Sequence, residues 1–364
     1  MTFTADKAEL ISAIRNVSGA VDEKSKSVPA LAYIKFELES GMLSLTGYDL
    51  EIGITTSIPV QSMDGGAFLC DKRIADLLAK LPNGDVEFNV EDEELTIKQG
   101  KSKNKRPVLL ATDYPAIPIT DVAETPLTLS QETLKNMIDE TVYAVAVSEN
   151  KPILTGELFD INSGIFNLVA IDGYRLAIRT EPINVENQQY FVVPGKALKE
   201  LSRLLATGEA KVYRTPKHVT FDLGNIKMFS RLLEGEFHNY KGSLPKSSAT
   251  SAIINTREIV SCLERCLLII NEKQKAPVKL SFASGELNIT CKTSAGEVDE
   301  IIPIDFVGNT LSIGFNCRYL LDAFKNCGTD TIKMSLGAPT APATVTATSG
   351  NSFTFLVLPV RLKN

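Results

Sequence analysis

The chain has no tryptophan and only two histidines, His218 and His238, in 364 residues. Histidine is the usual base and metal ligand near neutral pH, so a histidine-centred hydrolase or metalloenzyme has little to work with. Neither histidine has an orienting partner close in sequence, and both read as structural or solvated. Also missing are the GxxxxGK[ST] phosphate cradle, a GxGxxG turn after a strand, a GxSxG elbow and an HExxH pair. These absences argue against nucleotide-dependent enzymes, α/β-hydrolases and zincins. No apolar run reaches the roughly 18 to 20 residues that cross a bilayer, and Met1–Asp6 lacks the basic-then-apolar pattern of a signal peptide. The expectation is a cytoplasmic protein without membrane partners. The six cysteines form no CxxC pair; Cys262 and Cys266 instead extend a helical stripe through Ile259, Leu263, Leu267 and Ile270, which reads as core. No metal or cofactor is expected.

What is present is ordinary globular composition. Hydrophobic residues make up 44% and charged residues 23%, which argues against disorder, and the net charge of −6 disfavours a simple whole-chain attraction to phosphate. The order is more informative. A glycine turn, an alternating strand, an Asp-containing turn and a second alternating strand run from Gly164 to Arg179, with Asp172-Gly173 at the tip. The same grammar starts at Gly41 and at Gly285, so the motif recurs about every 120 residues, a usual domain size.

Each repeat offers two amphipathic helices separated by groups of strands. In the first, a helix is predicted over 5–18 with Thr4 as its cap, and another after Asp71 with Ile74, Leu77, Leu78 and Leu81 inward. The second restarts at Pro126, with Ser130 capping a helix through Leu134, Met137 and Ile138, and has a further helix over 195–206. The third has helices over 257–270 and 316–326. Strands fill the intervals, and the polar segments 118–126 and 245–252 read as linkers. The fold class is therefore α+β, three domains of two helices packed on antiparallel sheets, with boundaries at 1–120, 121–246 and 247–364.

Few clusters suggest chemistry. Asp172 with Arg175 could serve as a catalytic pair, but turn formation explains Asp172-Gly173 more simply. The acidic run Glu91–Glu94 reads as a solvated hairpin tip in preference to a cation site. The basic run Lys101–Arg106 fits an exposed hairpin loop and nucleic-acid contact equally well.

The triple repeat, the hairpin Ile171–Ala177, the stretches Leu43–Glu51, Val193–Lys196, Leu233–Phe237 and Ile313–Asn316, and the ending Leu358-Pro359-Val360-Arg361-Leu362 together resemble the bacterial sliding clamps, the beta subunits of DNA polymerase III. The resemblance covers essentially the whole chain. It implies three DNA-clamp domains per subunit, and a head-to-tail homodimer closing into a ring around duplex DNA, with helices lining the hole. It implies a non-catalytic processivity factor that holds DNA by topology without reading sequence. A slight basic excess on the six predicted helices points the same way. Lys24, Lys26, Arg73, Lys80, Lys151, Lys196, Lys199 and Arg203 are the expected DNA-facing residues.

The resemblance also implies a partner groove between the second and third domains, taking short peptides from the replicative polymerase subunit, clamp loader, repair polymerases, ligase or mismatch-repair proteins. The matching positions are Leu154, Ile171, Gly173, Tyr174, Arg175, Leu176, Pro245, Asn316, Tyr319, Leu358, Pro359, Val360, Arg361 and Leu362. An apolar floor with polar rim groups suits an extended peptide. This chain departs from the family pattern at Ile171, where threonine is frequent, at Leu358 and Val360, where methionines often flank the proline, and in the extension Lys363-Asn364. Two other readings compete: a peptide-binding scaffold of the same fold that does not retain DNA, and an enzyme using Asp172 and Arg175.

Overall fold

The computed structural model describes residues 1–62, 64–118, 126–147, 150–185, 188–270 and 276–362. Its described residues form six α-helices: α1 Lys7–Ser18, α2 Ile74–Lys80, α3 Gln131–Asp139, α4 Gly195–Leu204, α5 Thr256–Ile269 and α6 Cys317–Lys325. No helix among them is long and apolar enough to cross a membrane. Local signals set most of their starts. Ser130 Oγ accepts from Thr133 N (2.9 Å) at α3, Asn255 Oδ1 from Glu258 N (3.1 Å) at α5, and Asn316 Oδ1 from Arg318 N (3.0 Å) at α6.

The first helix corrects the sequence reading. Its cap is Asp6, which accepts from Ala8 N and Glu9 N, and not Thr4. Residues Thr2–Asp6 form a strand paired with Asp85–Glu91, because Phe3 and Ala5 alternate into the core at period two. Asp71 does not cap α2 directly; it accepts from Arg73 N and shapes the turn ahead of the helix. The basic run is a strand, Ser102–Pro107, and not a loop. It forms the edge of a five-stranded sheet, where lysines discourage further strand pairing. Lys105 pairs there with Glu94 at 2.5 Å. The tip joining Glu91 to Glu94 is a hairpin turn, with Asp92 and Glu93 both at positive φ. The predicted linker 245–252 is shorter than expected, since Thr250–Asn255 is a strand. The linker 118–126 and the Lys363-Asn364 extension fall largely outside the described residues.

The chain divides into two compact units, one of residues 1–135 and 200–232, the other of 136–199 and 233–364. The first holds the five-stranded sheet and a nine-stranded sheet, the second a thirteen-stranded sheet. The strand pairs among the described residues are antiparallel. In the first unit Ile52–Pro59 of the first repeat pairs with Ile226–Arg231 of the second. In the second unit Arg175–Pro182 of the second repeat pairs with Phe353–Val357 of the third. The nine- and thirteen-stranded sheets thus each continue from one repeat into the next, while the five-stranded sheet stays within the first. Helices α5 and α6 close over the third repeat's core, burying Ile259, Cys262, Leu263, Cys266, Leu320 and Phe324. The cysteine stripe is core, as its spacing implies; Leu267 and Ile269 are only partly covered.

Candidate binding site at the second repeat junction

The site is built on the Asp172 hairpin. Asp172 Oδ1 accepts from Tyr174 N (2.8 Å) and Arg175 N (3.0 Å), and Gly173 sits at φ 92°, a conformation that glycine reaches without strain. The turn sends Tyr174 outward, 61% exposed, and directs Leu176 into the sheet opposite Leu356. Leu358 N donates to Tyr174 O at 2.9 Å, fixing the C-terminal segment against the hairpin.

Between them lies a cavity of about 490 Å³. Its floor is apolar, formed by Ile153, Leu154, Ile171, Leu176, Leu356 and Leu358, with Gly173, Tyr174, Arg175 and Pro342 around it. Lys151, Glu236, His238 and Ser243 supply polar groups. His238 Nε2 and Ser243 Oγ are 3.0 Å apart and hydrogen-bonded. An open apolar pocket with a few polar groups is the usual form of a recognition site for a short peptide or small molecule.

Arg175 is a wall of this pocket, held by protein groups on three sides. Its Nε donates to Asp172 Oδ2 (2.9 Å), Nη1 to Asp322 Oδ2 on α6 (2.5 Å) and Nη2 to Tyr143 O (2.6 Å). The guanidinium also lies 4.6 Å from the Tyr319 ring centroid and 5.2 Å from that of Tyr143. Tyr174 stacks on Tyr319 with centroids 6.1 Å apart. Both Asp172 oxygens are spent on the turn and on Arg175, so the pair has the geometry of a brace. Among the described residues, no three His, Cys, Asp or Glu side chains gather as a metal site.

Of the groove positions expected from the sequence, Leu154, Ile171, Gly173, Tyr174, Arg175, Leu176 and Leu358 line this cavity. Tyr319 backs Tyr174 and Arg175, while Asn316 caps α6 and so positions Tyr319. Pro359 and Val360 pair with Phe315 and Gly314, and Leu362 packs where a Cβ on Gly314 would stand. Arg361 is exposed. Pro245 lines a second cavity of mixed polar and apolar lining instead. Seven lining residues were not among the expected groove positions: Ile153, Glu236, His238, Ser243, Pro342, Leu356 and Lys151, the last expected to face DNA. Leu356 shares the period-two face of Leu358, a signal the sequence did carry; the loop residues had none.

The expected DNA-facing residues scatter differently. Lys24, Lys26, Lys80, Lys196 and Lys199 are exposed. Lys151 lines the cavity. Arg73 is ion-paired with Asp71. Arg203 pairs with Glu200 at 3.1 Å and donates to the carbonyls of Arg15 (3.3 Å) and Asn16 (2.9 Å) in the last turn of α1, where a cation offsets the helix dipole.

One buried group stands apart. Glu157 is fully buried, and burial raises its pKa to about 8. Thr141 Oγ1 lies 2.7 Å from both Met137 O and Glu157 Oε2. A hydroxyl has one hydrogen, so it satisfies both neighbours only if Glu157 is neutral and donates to it.

Three family models match in succession: the DNA polymerase III beta subunit N-terminal domain over residues 1–118, its central domain over 128–239 and its C-terminal domain over 241–361. The beta sliding clamps of Halalkalibacterium halodurans and Bacillus subtilis are each 32% identical, over 99% of this chain and 100% of their own length. The crystal structure of the Bacillus subtilis clamp superposes with a TM-score of 0.95 at 30% identity, covering 100% of both chains. A sliding clamp from Pseudomonas aeruginosa bound to griselimycin gives 0.93 at 27% identity, again over 100% of both.

Proposed function

The chain belongs to the DNA polymerase III beta subunit family, the bacterial sliding clamps, and from that premise we propose that it acts as a head-to-tail homodimeric ring around duplex DNA. In this reading it is a non-catalytic, cofactor-free processivity factor in the cytoplasm. It carries three domains with boundaries near 120 and 246, and docks polymerase, loader and repair proteins through the cavity beside Tyr174. The observation that carries the docking is the open apolar cavity itself, preformed and braced by Arg175.

Ring closure is supported by exposed apolar side chains on separate elements. Leu109 and Leu110, on an edge strand of the nine-stranded sheet, are 43% and 61% exposed, while Leu268 on α5 and Ile301 on the Gly296–Val307 strand are 84% and 61% exposed. Two unlike sticky surfaces on one chain are what a heterologous contact requires. Lys24, Lys26, Lys80, Lys196 and Lys199 would then face phosphates and give a weak, salt-sensitive hold. Arg73 and Arg203, engaged with protein groups, would add long-range charge.

The test is retention on nicked circular against linearised DNA after loading, with native mass measured on the same sample. A dimer that stays on circles and leaves linear ends is expected. Equal loss from both forms would contradict the ring and leave a peptide-binding scaffold.

A further inference from the structure

The apolar cavity is not closed at the Ser243 end. Ser243 and Pro342 line both it and a second cavity of about 380 Å³. The lining changes character across that shared wall. Beyond it, beside Pro245, Gly337 and Ala341, come Lys246, Ser247 and Ser248 from the segment that follows the 3-10 turn Tyr240–Ser243, and Ser335 and Thr344 from neighbouring strands. Ser335 and Thr344 are register partners in the antiparallel pair Thr331–Leu336 with Ala343–Ala347. Directly opposed residues present their side chains on the same face, so the two hydroxyls form a common floor. Lys246 is exposed at the rim, and no carboxylate lines this cavity among the described residues.

We infer that this hydroxyl-lined cavity is an annex of the docking site that receives an acidic side chain of the same bound peptide, a few residues from its apolar anchor. This rests on the peptide-docking reading of the apolar cavity. The chemistry favours an acceptor carrying negative charge. Hydroxyl groups turn to donate, the ammonium of Lys246 only donates, and no competing anion lines the space. The reach also fits: alternate residues of an extended chain are about 6.6 Å apart, so a residue two or three positions from the anchor reaches the adjoining cavity. A lysine would meet Lys246.

Fluorescence-anisotropy titration of the full-length protein tests this with labelled peptides sharing one leucine-phenylalanine anchor. Glu, Ala or Lys is placed two or three residues before or after the anchor. At one of these positions the Glu peptide is expected to bind roughly three- to tenfold tighter than the Ala peptide at low salt, and the Lys peptide more weakly. In Lys246→Glu, checked for folding by thermal melting, the order of Glu and Lys should reverse. Equal affinities of Glu and Lys peptides at every position would overturn the annex while leaving the apolar site standing, as would a Glu preference unchanged in Lys246→Glu. Failure of every anchored peptide to bind would instead overturn the underlying docking reading, and the annex with it.

Discussion

The two places where a sheet continues from one repeat into the next are built alike and finished differently. At the first, Asp49 Oδ1 accepts from Glu51 N and Ile52 N, as Asp172 does from Tyr174 N and Arg175 N at the second. Leu50 takes the positive φ of Gly173, the 3-10 turn Pro29–Ala32 matches Pro152–Thr155, and Phe229 faces Gly53 as Leu356 faces Leu176. Yet the first junction is solid. Leu31, Tyr48 and Phe229 are buried together, with Tyr114 and Ile117 from the segment that follows the Leu109–Leu110 strand packed on them. Tyr114 OH donates to Thr46 O at 3.1 Å, and a Cβ on Gly53 would stand 2.6 Å from Ile117. At the second junction the corresponding space is the 490 Å³ cavity. The same architecture is plugged by its own chain in one place and left open in the other.

The comparison breaks most sharply at Phe229. Phe229→Ala should cost about 3–5 kcal/mol in denaturant unfolding, because it empties a filled junction. Leu358→Ala and Tyr174→Ala, at the open junction, should weaken partner-peptide binding by about 1–3 kcal/mol in titrations while leaving the midpoint of unfolding nearly unchanged. Peptide titrations unaffected by either change would remove the docking site from this cavity.

A subtler contrast lies beneath the junctions. Strand position 34 is the buried Ile34 in the first repeat, and its counterpart in the second is the buried Glu157. The pKa of Glu157 is raised from an ordinary 4.5 to about 8, so its folded form holds the proton more tightly than the unfolded form. Its stabilising contribution is full below about 4.5 and is lost as pH rises to about 8. Thermal unfolding across this window should show Glu157→Gln gaining on the parent protein as pH rises; parallel curves would contradict a neutral buried carboxyl. The smallest effect is expected at the hairpin tips. Gly173→Ala should cost about 1 kcal/mol through its positive φ, whereas Leu50→Gly should stay within about 1 kcal/mol of neutral as relief of the backbone offsets lost contact.

Much of this was legible in the sequence, for physical reasons. The Asp172-Gly173 turn, the helix stripes through Leu134 and Met137 and through Ile259 and Leu263, and the threefold recurrence are local signals with a fixed period. The resemblance to the clamps supplied the groove positions that line the cavity. What was hidden depends on distant packing. Thr2–Asp6 is a strand because Asp85–Glu91 lies beside it, and the basic run is an edge strand because Glu94–Gln99 pairs with it. Lys151 and His238 reach the cavity through loops, and Arg203 is tied to α1 by carbonyls that sequence spacing does not bring near.

The most direct test of the central contrast is photocrosslinking of a clamp-binding peptide that carries a benzophenone at its apolar anchor, with the attachment site mapped by mass spectrometry. Adducts at Leu154, Leu176 or Leu358 are expected, with none at Leu31, Tyr48 or Phe229. Adducts at the first junction, or specific adducts away from both, would contradict the account of one filled and one open junction.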